Sequence, residues 1–581
     1  MKKKRLLALL VAVVMVFASL ALAACANDAP DPEPPAQEDV VEPDDDDGDD
    51  EDVAVVDGDD EEEEPPLIPE EMPEAAEDAA GGILRFASQG VDGRFTPITS
   101  SNVYDAHIVA LVFDSLFMTN AEGIPEPLLA TWETCDDNLV YTFTIDERAT
   151  FSDGVPVTSA DVFFTFDSIR HEDYDGPRSY AVANLEDIEI IDERTIAFHF
   201  EEASPLNIWN LGYEIMPEHI YAFDNWDDFL DMELSPVGSG RFLFVEYRPM
   251  EHVHLVANPN HWHPDRIPQV EEFFMIDIPE ELLADALTAG QVDFVMPSAT
   301  IDNYDLFSGL PGSTLEVVTV LGYQYMQFNT LRPTLEDVRV RQALMYALDR
   351  QAWIDIIHGP LGTIGTAPFA KASWAFPHHI ELNEYAFDLD RANELMEEAG
   401  WVMGDDGVRV NADGVRMELV WPVYTEVPWP GALAEMAYDT WGQIGVSLQI
   451  DLMDFVTVQS LTGEPPPGEK DFCVYVMGFS LGIDPGNMPL FDYDDFGAGG
   501  FNASGFYHPE IQRLIAAGRA TFDIEERQEI YAELAKLTNY YVATVILAYR
   551  GELWTVGDHV QGFFVNTFNR WTANAHNITV N

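Results

Sequence analysis

Met417-Glu418-Leu419-Val420-Trp421, then a helical stripe at Leu433, Ala437, Trp441 and Ile444, then Val446-Ser447-Leu448-Gln449-Ile450-Asp451-Leu452, is the stretch that decides the fold class. A short apolar run, a 3.6-residue spacing and an alternating run read as strand, helix and strand. Parallel strands need a crossover, and the crossover helix covers a sheet face, so a βαβ unit places the chain among α/β proteins. Upstream, Val408-Arg409-Val410 and Met417-Glu418-Leu419 flank Asp413-Gly414, which signals a hairpin. Asp388 caps a helix that ends at Gly400, and Val338, Val340, Ala343, Leu344, Ala347 and Leu348 form one apolar helix face. Downstream, residues 472–479 read as a short apolar strand. Asp523 and Glu526 form a capping pair ahead of Ile530, Tyr531, Leu534 and Leu537.

The first half mixes the same elements. Residues 139–146 and 195–200 alternate as half-buried strands. Thr158 and Asp161 open a helix that continues through Val162, Phe163, Phe166 and Ile169. Residues 280–289 read as a helix stopped by Gly290, followed by a strand over 292–296. No repeat of 20–50 residues is visible. These stripes are core packing.

The amino terminus carries Lys2, Lys3, Lys4 and Arg5, an apolar run, and Leu22-Ala23-Ala24-Cys25. This is the pattern of a secretory signal. A cysteine after Leu-Ala-Ala resembles the bacterial lipobox, which implies cleavage before Cys25 and acylation of its thiol. The protein would then be exported and held to the outer face of a membrane by lipid alone. An uncleaved anchor helix is the competing reading.

Residues 26–80 hold 26 Asp and Glu and no Lys or Arg. Such a segment buries too little apolar surface to order, so it is expected to be an extended acidic tether. It does not fit a calcium loop: with Gly48 at the turn, Pro43 and Ala54 fall on ligand positions.

Residues 81–581 suffice for two or three lobes. They carry 78 acidic against 24 basic residues, which makes nucleic acid and anionic lipid poor partners. No Gly-Lys pair occurs, so there is no P-loop, and no H-E-x-x-H is present.

Several ordered blocks then carry a resemblance. They are Trp132 with Tyr141-Thr142-Phe143-Thr144-Ile145, and Phe151-Ser152-Asp153-Gly154-Val155-Pro156-Val157-Thr158-Ser159-Ala160-Asp161-Val162. Next come Pro236-Val237-Gly238-Ser239-Gly240, Asn258-Pro259-Asn260-His261-Trp262 and Ala289-Gly290-Gln291-Val292-Asp293. Phe328-Asn329-Thr330, Asp337-Val338-Arg339-Val340-Arg341-Gln342-Ala343-Leu344, Ala347-Leu348-Asp349-Arg350, residues 388–401 and Asp484-Pro485 complete the order.

The chain resembles family 5 of the extracytoplasmic solute-binding proteins, the peptide- and nickel-type receptors of ABC importers. The resemblance implies an α/β, two-lobed periplasmic-binding-protein fold with an extra subdomain in the first lobe and mixed sheets with flanking helices. It divides the chain into a signal (1–24), the lipidated Cys25 with the tether (25–80), a lobe I core (81–100, 187–320 and 555–581), a lobe I subdomain (101–186) and lobe II (321–554). It also implies no catalysis, no cofactor, a monomer, closure on a peptide-like ligand, and delivery to a permease served by separate ATPase chains. Because it puts Cys135 and Cys473 in different lobes, both are expected as free thiols.

By position in the family, Gly478 and Ser480 would offer main-chain groups to an extended peptide, with Met477 and Phe479 beside it. Phe455 matches an aromatic wall, and Gln89, Gly90 and Phe95 match a loop facing the cleft. Tyr424 and Asn502 are further ligand candidates, for which a structural role competes. Relatives that bind a free amino terminus carry an acid two residues after the Ser480 position. Gly482 stands there, and Asp484 is the candidate substitute.

Two other functions compete. Gly478-Phe479-Ser480-Leu481-Gly482 fits G-x-S-x-G behind an apolar strand, as in a secreted serine hydrolase, with His508, His559 or His576 as base. Ile483-Asp484-Pro485-Gly486-Asn487 is a poor start for the helix that this elbow needs. A nickel or metallophore receptor of the same family would place a histidine after Asp-Pro, where Gly486 stands. His261/His263 and His378/His379 are isolated pairs.

Overall fold

The computed structural model describes residues 81–581, apart from 175, 224, 233, 464, 466–468 and 497–499. The signal segment, Cys25 and the acidic tether lie outside the described residues.

Lobe I grows from β1 (Ile83–Ser88), which pairs in parallel with Glu272–Asp277 and with Phe294–Val295. Both faces of a parallel strand are normally covered. Here Phe86 packs with Trp554 and Trp571 on one side, while Ile83 and Ala87 meet Ile276 and Leu283 on the other. Helix Val103–Val112 lies over this core, its Asn102 cap accepting from the Tyr104 amide at 2.8 Å.

A separate antiparallel sheet runs Ala130–Thr134, Val140–Ile145, Thr195–Phe200, Leu185–Ile190. Helix Ser159–Ile169 covers it, opened by the expected capping box of Thr158 and Asp161. This sheet corrects the division at residue 186. Thr195–Phe200 pairs with Val140–Ile145, and its Phe198 packs on Phe143 and Phe166. Residues 187–200 therefore belong to the subdomain, and Val103–Val112 belongs to the lobe I core. Alternation says that one face of a strand is buried but not which sheet buries it.

Lobe I leaves through β2 (Ser313–Thr319), and lobe II begins two residues later with β3 (Gly322–Phe328). The βαβ unit follows as β4 (Glu418–Tyr424), α1 (Pro428–Gln443) and β5 (Ser447–Met453). β4 and β5 pair in parallel from Glu418–Ser447 to Tyr424–Met453. Prolines 428 and 430 sit in the first turn of α1, where a missing N–H costs nothing. The Asp413-Gly414 turn forms, but the expected hairpin shrinks to one bridge between Val410 and Arg416. Val410 and Arg409 pair instead with Val402 and Met403, and β4 spends its ladder on β5.

β6 (Val474–Ser480) pairs antiparallel with β3 over seven residue pairs. β7 (Thr544–Gly557) then runs through both lobes. Its first half pairs with β3 and Gly362–Ile364, its second half with β2 and Phe294–Val295. The lobes are therefore joined twice, by the β2–β3 link and by β7. Val320 N–H donates to Arg550 O at 2.8 Å, tying the two connections together. The lobe II core draws only on residues 323–549.

Cys135 in the subdomain and Cys473 in lobe II are free. No helix among the described residues is long and apolar enough to cross a membrane.

Candidate ligand cleft

The phase of the β3–β6 ladder decides which main-chain groups are spare. Leu481 N–H donates to Leu321 O at 3.0 Å, and Asn329 N–H donates to Cys473 O at 2.8 Å. In an antiparallel pair, residues alternate between facing the partner strand and facing away. Those two bonds make odd-numbered residues of β6 the ones that exchange with β3. The N–H and C=O groups of Gly478 and Ser480 therefore point to the outer edge. β6 is the last strand of its sheet, and beside Cys473 its edge meets β4, where Cys473 N–H donates to Val420 O at 2.8 Å. Val474 to Met477 are buried, whereas Gly478 and Ser480 are exposed. The free stretch lies next to the lobe crossing, because Ser480 pairs with Gly322.

Other expected residues divide sharply. Phe479 is half-buried, stacked on Tyr323 at 6.0 Å and edge-on to Phe501 at 5.8 Å. Phe455 is half-buried and meets Tyr424 edge-on at 5.2 Å. Tyr424 itself is buried, and burial, then Tyr325, pushes its phenol pKa well up while Arg550 opposes the rise. Gly90 has φ +116° and open space where a side chain would stand. Gln89 beside it is half-buried and spends its amide on the Glu280 carboxylate. The loop that follows is tied down by Asp105, whose carboxylate accepts from the amides of Asp92, Gly93 and Arg94.

Four expected residues are used elsewhere, and each is a correction. Phe95 is fully buried in the lobe I core, edge-on to Tyr247 at 5.3 Å. Met477 is buried in the lobe II core, because its side chain lies on the face opposite Gly478. Asn502 is 1% exposed, donates to Asp492 O at 3.1 Å and accepts from Ser504 Oγ at 2.7 Å. Asp484 is held by Arg527 in a two-point ion pair at 2.6 and 2.7 Å and also accepts from Gly486 N–H at 2.8 Å. A carboxylate so engaged has little left to offer a ligand ammonium.

The candidates for the competing functions are also placed. Residues 481–492 form turns, with no helix following Ser480. His508 bonds Tyr541, His559 bonds Asp293, and His576 lies beside Arg241. His261 is buried against Asp114 at 3.1 Å. No group of three or more His, Cys, Asp or Glu suited to a metal occurs among the described residues.

Sequence reasoning passed over Arg550 and Gln324. Arg550 lies half-buried on β7 next to the crossing, and Gln324 is 1% exposed on β3. The available signal was an arginine directly after the apolar run Val545-Ile546-Leu547-Ala548-Tyr549, in a chain poor in bases.

Residues 124–497 match the family model described as bacterial extracellular solute-binding proteins, family 5 Middle, and the chain belongs to that family. Its sequence is 24% identical over 504 residues to the oligopeptide-binding protein AppA of Bacillus subtilis (strain 168), covering 84% of this chain and 90% of that protein. The solved structure of AppA from Bacillus subtilis in complex with a nonapeptide is similar with a TM-score of 0.62 at 22% identity, covering 86% of this chain and 99% of that one. HbpA2 from Haemophilus parasuis is similar with a TM-score of 0.74 at 23% identity, covering 86% and 100%. NikA from Brucella suis, solved with Fe(III)-EDTA, is similar with a TM-score of 0.69 at 19% identity, covering 86% and 100%. The fold is thus the two-lobed one of this family, whose members are solute-binding receptors of ABC importers.

Proposed function

We propose that this chain is a receptor that encloses a peptide-like solute between its lobes and presents it to the permease of an ABC importer, itself breaking no bond. The observation that carries the reading is the outer edge of β6 at Gly478 and Ser480. Two residues offer spare donors and acceptors in a row, beside the crossing where the lobes meet. An extended peptide adds to such an edge through its own backbone, so affinity does not depend on its side chains. Phe479 and Phe455 supply aromatic walls, with buried Tyr424 backing Phe455, and the Gln89-Gly90 loop of lobe I supplies the opposing surface. That loop is already ordered by Asp105, so little entropy is lost when a ligand touches it.

The β2–β3 link and β7 form a two-strand hinge. A ligand that touches both lobes favours the closed arrangement by its differential contacts, and closure signals occupancy to the permease. Cys25 would carry the lipid anchor, and the acidic tether would set the working distance from the membrane. The protein would act as a monomer. Small-angle scattering checks the hinge: a bound peptide is expected to reduce the radius of gyration. An unchanged radius with a saturating, tightly bound peptide overturns closure.

A further inference from the structure

Arginine is scarce here and almost fully employed. Of the 21 arginines among the described residues, 18 make a side-chain hydrogen bond or ion pair within those residues. The other three are Arg94, Arg550 and Arg570. Arg94 is exposed; burial lowers the pKa of Arg570 too, but the carboxylates of Glu552 and Glu214 oppose the fall. Arg550 differs: it is half-buried, burial lowers its pKa, and the one group that opposes the fall is the phenol of Tyr424. A desolvated guanidinium with no anion beside it costs free energy in the empty protein.

Its surroundings also lack acceptors. Gln324 and Ala548 are opposite each other on β3 and β7, so their side chains share a face. Two residues further along β7, Arg550 is on that same face. Gly362 is its partner on one flank, and on the other its carbonyl accepts from the Val320 N–H of the β2–β3 link at 2.8 Å. Neither neighbour, a glycine and a valine, brings a side-chain acceptor to Arg550. Gln324 Oε1 pairs with His358 Nε2 at 2.8 Å, while Gln324 Nε2 is buried without an acceptor. His358 adds no second cation that would repel an anionic guest: burial and then Arg550 hold its pKa down to about 4, so it is neutral at pH 7. Ser480 pairs with Gly322, so this spot lies across β3 from the end of β6, near the lobe crossing.

We infer that Arg550 is a carboxylate-binding residue of the cleft and that the solute carries a carboxylate at its hinge end. A planar guanidinium matches a carboxylate with two parallel bonds. The inference rests on the peptide reading and extends it, and it runs against the outer surface, whose excess of acid repels anions. The carboxylate can be a chain terminus or an acidic side chain.

Calorimetric titration with three pools of five- to nine-residue peptides separates the cases. The first pool lacks Asp and Glu and has free carboxyl termini. The second is the same pool amidated. The third is amidated with one internal Glu. Free carboxyl termini, or the internal Glu, are expected to raise affinity about 10- to 100-fold over the second pool, the scale of one charged hydrogen-bonding pair. Arg550→Gln is expected to erase that difference without lowering Tm, and Arg550→Lys to keep part of it. A first-pool advantage assigns the carboxylate to the terminus, and a third-pool advantage assigns it to a side chain. Equal binding of all pools, or an advantage that survives Arg550→Gln, overturns the carboxylate site and leaves the peptide reading standing. A protein that binds none of the pools overturns both.

Discussion

Two short stretches of lobe II, four residues apart, behave in opposite ways. Asp484 to Gly486 is a closed account of hydrogen bonds: both carboxylate oxygens meet Arg527, and the Gly486 amide is capped. Gly478 to Ser480 is open, with alternate main-chain groups aimed away from the sheet. Arg527 and Arg550 repeat the contrast, one paired on two points and stacked over Trp374 at 5.0 Å, the other without an anion. The difference separates architecture from recognition. Groups that satisfy one another hold the lobe together, and groups left over are where a solute gains free energy.

The largest expected effect lies on the closed side. Asp484→Ala leaves Arg527 buried without its partner and is expected to cost about 3–5 kcal/mol of stability. Chemical denaturation measures it. Affinity per folded molecule should not change; a fall in affinity with the fold intact would return Asp484 to the binding site and break the comparison.

On the open side, Gly478→Pro removes an edge donor that β3 does not use. We expect peptide affinity to drop by about 100-fold, consistent with a lost main-chain bond and an unpaired ligand carbonyl, while the circular dichroism spectrum is retained. Gly478→Ala is the control, since its Cβ would meet nothing within 4 Å and the N–H survives. Full affinity in the proline variant would remove this edge from the site.

A smaller effect concerns the lobe I loop that Asp105 ties down at Asp92, Gly93 and Arg94. Burial raises Asp105 from 3.8 to about 7, against the opposing amide bonds from Arg94, Gly93 and Asp92. Its folded pKa exceeds its unfolded one, so its stabilising contribution is complete below about 4 and is lost as pH rises through about 7. Asp105→Asn should flatten the decline in Tm between pH 4 and 7. An unaltered slope would mean that the titration belongs to other groups.

Much of the framework was legible because its causes are local. The βαβ unit, the Thr158–Asp161 capping box and the Asp388 and Asp523 caps depend on residues within a few positions, and all form. The candidate site was legible only in part. Phe95 reads like any loop aromatic until Phe244 and Tyr247 enclose it. Asn502 reads as a ligand amide until Asp492 and Ser504 take up its two ends. Arg550 escaped attention for the converse reason: its place after an apolar run is visible in the sequence, but the missing partner that marks it is not.

The sequence by itself determined the α/β class and the order of blocks that places the chain in its family, since periodicity, capping and turn chemistry act over a few residues. Only the tertiary structure decided which polar groups are spent and which are spare. Their partners arrive from far along the chain, as Arg527 does for Asp484 across 43 residues. The phase of the β6 ladder, on which the spare edge depends, exists only once β3 has paired with it.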